Sequence, residues 1–547
     1  MVKHCPMTTA TTTIPASVRA NIAFYGSHNS AVAVEHDGKL VTVIEMERFL
    51  TVKNAGYSQY LTSYSRPYLL THVLQYIKEQ HGIEEYDTCY FMNTDSIEGS
   101  EKVFYQNRIP AKEYKECLHH ESHAACAFYQ TDYDKALIVS FDGGGNDGFF
   151  NVYHASDRNT MTLVKKINLD MGFPYMSFGD YLGDIRKEPA LNIGNLVYSG
   201  KIMGLCSYGT ANHKWLPHFE NYYRARPHGQ NYLHLLTELG QQTGLTFDTN
   251  ARMNGQLGWD VAKTSQIAFE NVFMENMASI FAEYPDIPVL MVGGCALNIL
   301  LNTKLQQELG RPVFVPPNPN DCGLAVGMIL NHMKPKTAVD VTYAGVEVID
   351  RNVLMSHVED RWAESLETTK LVGDLARGKI VGVVRGNSEH GPRALGNRSI
   401  LCNPAFPAMK DILNAKVKNR EWYRPFAPVC RLEDASKYFD MNWESRWMSF
   451  CPTVKPEWRE KLVSITHVDG TARVQTVTQE QNPWLYNLLT EFEKKTGIGV
   501  LLNTSFNVNG KPILSKYADA LLVYDKTQLD CLVLADFYFR KDRGKYG

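Results

Sequence analysis

The chain has 547 residues, enough for two to four ordinary domains. Apolar residues make up 44% and charged residues 21%, and 56 Lys plus Arg nearly balance 59 Asp plus Glu, giving a net charge of −3. These values exclude a disordered or collagen-like chain and a uniformly basic nucleic-acid coat, and leave room for a local basic cleft. The longest apolar stretch, 288–301, is interrupted by Gly293 and Gly294, so no membrane span is expected. Eleven cysteines without a CxxC pair point to reduced, buried thiols and a cytoplasmic setting rather than a disulfide framework.

Residues 1–20 are Thr-rich without an apolar core and read as a disordered leader, not a secretory signal. Residues 21–50 alternate as a β-hairpin with Asp37-Gly38 as the two-residue turn, and a helix is expected over Tyr68–His81. The run KALIVSFDGGGNDGFFNVYH repeats the strand–turn–strand plan, and PVLMVGGCALN adds a strand ending in glycines. Together with the intervening helices these units predict a large α/β domain with an internal duplication. After the polar stretch Lys334–Asp350 the pattern changes. Asn352–Ala376 reads as helix and KIVGVVRG as strand, and a domain boundary is expected within 335–355.

Three groups of residues carry chemistry. In LHHESHAACAFY, His119 and His123 are four apart and share one face of a helix, the spacing of a metal-binding pair. Asp142, ending ALIVSF, and Asp321, opening a small-residue helix, are candidate further ligands. Two imidazoles and two carboxylates suit iron(II), manganese or zinc better than calcium. Asp142 is equally read as a turn residue and Asp321 as a helix N-cap. The glycines at 143–145 and 293–294 let backbone amides approach a phosphate, although no P-loop or dinucleotide fingerprint is present. The third group is basic: Arg393 and Arg398, then Lys418, Arg420 and Arg424, then Arg473, with Asn503, Ser505 and Asn507 nearby in sequence. Arginine forks and lysines set among Gly, Pro and Ala predict an anion pocket for a phosphorylated substrate.

The motifs HHESHAA, VSFDGGGNDG, KIMGLCSYG, GGCALN, SEHGPRALGNRSIL, VKNREWYRPFAP, HVDGTARVQTV and NTSFN together resemble the ATP-dependent O-carbamoyltransferases of the NodU/CmcH type over nearly all of 21–547. The resemblance implies an actin/hexokinase-superfamily (duplicated ribonuclease H-like) transfer domain over 21–345 and a YrdC-like α/β domain over 346–547. The second would make carbamoyl-adenylate from carbamoyl phosphate and ATP, and the first would pass the carbamoyl group to an acceptor hydroxyl. It implies His119, His123, Asp142 and Asp321 as ligands of a divalent metal (iron(II), manganese, magnesium or zinc). Arg393, Lys418, Arg424, Arg473, Asn503 and Ser505 become the pocket for carbamoyl phosphate and the ATP phosphates, Arg393 and Lys53 reach the reacting groups, and His120 or another nearby imidazole takes the acceptor's proton. Gly143, Gly144, Gly204, Gly293, Gly294 and Asn298 become nucleotide contacts of the transfer site.

The implied acceptor is a secondary metabolite or a hydroxymethylated pyrimidine, free or in DNA, with nucleic acid a partner only in that role. The aromatic-rich segments 57–68 and 171–198 are candidate acceptor loops. The resemblance leaves a homodimer open and gives no membrane role. In the first turn, SHNSAVAV, Asn29 departs from the family pattern, where aspartate follows the histidine at position 28. A threonylcarbamoyl-adenylate enzyme of tRNA modification and a nucleotide-binding protein of the actin/hexokinase type are the alternatives.

Overall fold

The computed structural model describes residues 19–55, 65–93, 100–185, 194–225, 232–361 and 363–541. Strands β1 (Ala20–Tyr25), β2 (Ala31–His36), β3 (Lys39–Glu45), β4 (Tyr86–Phe91) and β5 (Ala111–Glu116) form a sheet of order β3-β2-β1-β4-β5. The first three pair antiparallel and the last two add in parallel. Strands β6 (Ala136–Gly145), β7 (Gly148–Asp157), β8 (Thr160–Ile167), β9 (Val289–Val292) and β10 (Val313–Phe314) repeat that order and those directions. This is the expected duplication, a ribonuclease H-like unit used twice as in the actin/hexokinase superfamily.

The first hairpin turns at Asp37 and Gly38, both with positive φ (48° and 78°), as a type I′ turn requires. The second helix of the chain spans Ser65–His81, a turn earlier than the periodicity predicts. The candidate acceptor segment 57–64, residues 186–193 of the other one, and the leader 1–18 lie outside the described residues.

Each repeat is followed by a helix of small and apolar residues: His119–Phe128 after β5, and Leu324–Met333 after the loop that leaves β10. Ala124–Phe128 and Leu324–Leu330 are fully buried and pack together between the two sheets. A Cβ on Gly327 would stand 1.9 Å from the Ser122 carbonyl oxygen, so glycine sets how closely the helices approach. Both helices begin at the same end of the molecule, where the loops after β1, β6 and β9 also lie.

Strands β11 (Glu364–Ser365), β12 (Val381–Val384), β13 (Arg398–Cys402), β14 (Ala427–Arg431), β15 (Gln475–Val477), β16 (Val500–Ser505), β17 (Cys531–Leu534) and β18 (Phe537–Arg540) make one mixed sheet. Its order is β11-β18-β17-β12-β13-β16-β14-β15, an α/β unit distinct from the two repeats. The stretch 352–376 is not one helix. It breaks into Leu354–Asp360 and Thr368–Ala376, because Glu364 and Ser365 pair with Tyr538 and Phe537 at the sheet edge. Edge pairing outweighs local helical periodicity there.

The ten cysteines among the described residues are free, eight of them buried. No helix among the described residues is long and apolar enough to cross a membrane.

Gly327→Ala should lower stability by about 3 kcal/mol, since the new methyl group meets backbone rather than a movable side chain. The shift in the urea unfolding midpoint measures it, and an unchanged midpoint would show that the two helices can separate freely.

Candidate functional site

The loop after β6 builds the first site. Leu118 precedes the His119–Phe128 helix and has no side-chain acceptor to cap it. The β6–β7 turn supplies the caps instead: Asn146 Oδ1 accepts the His119 amide and Asp147 Oδ1 the His120 amide, each at 2.9 Å. The turn is thereby fixed against the helix, and a Cβ on Gly145 would lie 2.4 Å from the His119 ring. At the foot of the turn, Asp142 accepts the amides of Gly143 (2.7 Å) and Gly294 (2.6 Å), tying β6 to the loop after β9. Gly293, the residue before the amide that makes that tie, has φ +91° and no room for a side chain beside Phe141.

His119, His123, Asp142 and Asp321 come together with one ligand atom each, all within 4.8 Å of one another. His123 Nε2 lies 3.4 Å from Asp142 Oδ2 and 3.5 Å from Asp321 Oδ1, and His119 Nε2 lies 3.7 Å from Asp321 Oδ1. Nε2 of both histidines is buried without a hydrogen-bond partner. Two orphaned imidazole nitrogens facing two carboxylates fit a divalent ion with bonds of about 2.0–2.2 Å. Asp321 is held by the other repeat: Tyr25 at the end of β1 donates to Oδ2 at 2.5 Å, and His28 Nδ1 stands 3.4 Å away. Burial pushes His119 down to about 4; it also opposes the charge on His123, but the two carboxylates prevail and lift that group to about 9.

The basic residues gather elsewhere, where the third sheet meets the repeats. Lys418 donates to the Ser505 carbonyl (2.6 Å), Ser505 Oγ (3.1 Å) and Asn507 Oδ1. Arg420 donates to Asn414 Oδ1 at 2.7 Å and lies over the Phe426 ring. Burial pushes the Lys53, Lys418, Arg393, Arg420 and Arg473 groups down, and Arg424 pushes each of them further. Among the described residues no carboxylate pairs with Arg393 or Arg473. Glu421 is the acid within this group, 2.7 Å from Lys201 Nζ and 3.6 Å from Arg424 Nη1. Buried cations that repel one another and outnumber the acids beside them form a site that an anion completes.

The structure redistributes several expected residues. His120 is fully buried, with Nδ1 2.8 Å from Ser140 Oγ and Nε2 3.0 Å from the Gly148 carbonyl. Both nitrogens are engaged in hydrogen bonds within the fold, and His120 is held away from the Nε2 atoms of His119 and His123 that face the carboxylates. Asn298 caps the Ile299–Glu308 helix and pairs with Gln266, so its side chain is internally satisfied rather than free for a nucleotide. Gly204 faces Tyr423 and Pro425 beside Arg424, so it sits by the basic group and not with the glycine loops. Gly143 and Gly144 lie in the β6–β7 turn beside the cluster. Asn503 is buried and donates to the Ala394 carbonyl and to Gln475, bracing the loop of Arg393. Arg398 is fully buried and donates to the carbonyls of Arg385, Gly386 and Asn397, a structural use of its guanidinium.

Sequence reasoning missed His28, Lys201 and Glu421. Lys201 stands inside KIMGLCSYG and Glu421 between two marked arginines, but their pairing across the seam leaves no trace in spacing.

At pH 7 the metal-free site carries a proton on His123 and none on His119, so metal uptake should release about one proton per ion. Calorimetric titration with manganese or zinc in buffers of differing ionisation enthalpy gives the count. Release of none would contradict a charged His123.

Residues 100–330 match the family described as carbamoyltransferase N-terminus, and residues 372–541 the family described as carbamoyltransferase C-terminus. The nodulation protein NolNO of Sinorhizobium fredii is 31% identical over 94% of this chain and 79% of its own. The 3'-hydroxymethylcephem-O-carbamoyltransferase of Streptomyces clavuligerus is 40% identical over 47% of this chain and 49% of its own. Among solved structures, full-length HypF in its phosphate- and nucleotide-bound form aligns at 12% identity and a TM-score of 0.36, over 58% of this chain and 46% of HypF. The chain belongs to the carbamoyltransferase family and is an enzyme of that class.

Proposed function

We propose that the protein is an ATP-dependent O-carbamoyltransferase that uses carbamoyl phosphate and works in two steps at the two sites. The observation that carries this reading is the pairing of a buried pocket in which cations outnumber acids with a separate His/His/Asp/Asp cluster in one chain.

The basic pocket would take the phosphates. Arg393, Arg424, Arg473 and Lys418 hold phosphate oxygens, with Lys53 and Lys201 reaching in from the repeats. There water hydrolyses carbamoyl phosphate to carbamate and inorganic phosphate, and a carbamate oxygen attacks the α-phosphorus of ATP. The bond to the β-phosphate breaks, pyrophosphate leaves, and carbamoyl-adenylate remains. Arg393 also lines a small cleft with Ala296, Leu297 and Pro317 of the repeats, so the basic group touches the half of the chain that bears the cluster.

At the cluster an acceptor hydroxyl attacks the carbamoyl carbon and AMP leaves with the electron pair of the C–O bond. His119, His123, Asp142 and Asp321 would hold a divalent ion, which would supply positive charge to help the phosphate of AMP depart. We assign the acceptor's proton to His28, which is part-exposed beside Asp321. The name of the cephem relative places an alcohol on a CH₂ group attached to a ring, and the acceptor proposed here is of that kind: a hydroxymethyl group on a metabolite ring or pyrimidine.

Pyrophosphate release from ATP should depend on carbamoyl phosphate and proceed before any acceptor is added. Arg424→Ala should abolish it, because a fork on the transferred phosphate is lost, while His119→Ala should retain it and lose carbamoyl transfer. Loss of the same step in both variants would overturn the division of labour, and release dependent on threonine and bicarbonate would move the protein to the tRNA-modifying class.

A further inference from the structure

The loop Ser388–Arg393 belongs to the third sheet's half of the chain, yet its middle is buried against the loop that carries Asp321. His390 is 1% exposed. Its Nε2 lies 2.9 Å from the Cys322 carbonyl, and its Nδ1 lies 3.1 Å from Asn318 Nδ2. Asn318 is fully buried, and its Oδ1 accepts from Gln130 Nε2 at 3.0 Å. Gln130 follows directly on the helix that bears His119 and His123, and donates also to the Cys126 carbonyl at 2.8 Å.

These contacts fix every donor. A carbonyl oxygen only accepts, so His390 Nε2 carries the proton and Nδ1 is the acceptor. Nδ1 then receives the Asn318 amide, whose oxygen is already taken by Gln130. The result is one directed chain: Gln130 to Asn318 to His390 to the Cys322 carbonyl. It begins at the histidine helix and ends on the residue after Asp321. The neighbouring glycine closes the loop down, since a Cβ on Gly391 would lie 2.1 Å from the Pro317 carbonyl oxygen. On the other side Arg48 donates to the carbonyls of Glu389 and Gly391, and Glu45 accepts the Gly391 amide at 2.9 Å. Glu389 accepts the amides of Leu395 (2.6 Å), Asn397 (2.9 Å) and Arg398 (3.1 Å), so the same loop sets the path of the chain just beyond Arg393.

We propose that His390 is a positioning residue for the metal cluster, supplied by the half of the chain that carries the phosphate pocket, and that it holds Asp321 in register with His119 and His123. This rests on the reading of the cluster as a metal site. Neutral imidazole at this position acts as a two-ended spacer that accepts from a side-chain amide and donates to a backbone carbonyl. Glutamine offers the same two functions, whereas leucine fills similar space with neither.

The test is the affinity of manganese or zinc for the full chain, measured by calorimetry with no substrate present. His390→Leu should weaken binding about tenfold, the lower end of what loss of a partner behind the ligands costs. His390→Gln should recover most of it. Gln130→Leu, which breaks the chain at its other end and lies far from Arg393 in sequence, should weaken binding in the same direction. Inorganic pyrophosphate, titrated in parallel as a probe of the basic pocket, should bind His390→Leu with unchanged affinity. Wild-type affinity for metal in His390→Leu would overturn the inference while leaving the metal site standing. Equal losses of metal and pyrophosphate binding would overturn it too, since they would mark collapse of the loop. Absence of metal binding in the wild type would remove the cluster reading and this inference with it.

Discussion

The close approach of two helices is the constraint on which the chemistry depends. His119 and His123 project from one, Asp321 opens the other, and the backbone contact at Gly327 sets the distance between them. Neither repeat contains the cluster alone. The first gives the histidine helix and the Tyr25 hydroxyl, and the second gives Asp142 and Asp321. A duplicated fold brings equivalent strand ends to one place, and the site uses the resulting convergence of loops.

The same logic extends to the third sheet. Its arginines acquire meaning only where the repeats add Lys53 and Lys201, and its loop 388–391 is shaped on the far side by Pro317 and Arg48. The seam between the halves is therefore part of both sites and not a passive contact. Buried groups whose hydrogen bonds are satisfied, such as His390, fix its geometry, while unsatisfied Nε2 atoms of His119 and His123 mark where a ligand is wanted.

Much of this is legible in the chain because its signals are local. Asp37-Gly38 specifies its turn, and the i, i+4 histidines specify one helix face. Strand ends with Asp or Gly-Gly announce backbone that must pass close to something. Partners drawn from distant segments are not legible. Nothing in HHESH distinguishes His120, whose two nitrogens are engaged by Ser140 and Gly148, from His119 and His123, whose Nε2 atoms have no hydrogen-bond partner. Asn298 and Asn503 sit in motifs that look ligand-facing, yet their amides serve Gln266 and Ala394. Between 352 and 376 the periodicity is helical, but a two-residue edge pairing with β18 decides the outcome. In each case a long-range hydrogen bond overrides the local pattern.

The basic pocket has a further consequence for the protein as a whole. Arg393, Arg420, Arg424, Arg473, Lys418 and Lys53 repel one another in a buried place, so the empty enzyme holds its halves together against an internal charge. Every phosphate that enters relieves that repulsion, and every phosphate that departs restores it. On the proposed reading, phosphate, pyrophosphate and nucleotides that fill the pocket would link thermal resistance to the surrounding anions by mass action. The same reading makes the empty protein its least cohesive form, so that substrate supply would bear on how long it survives.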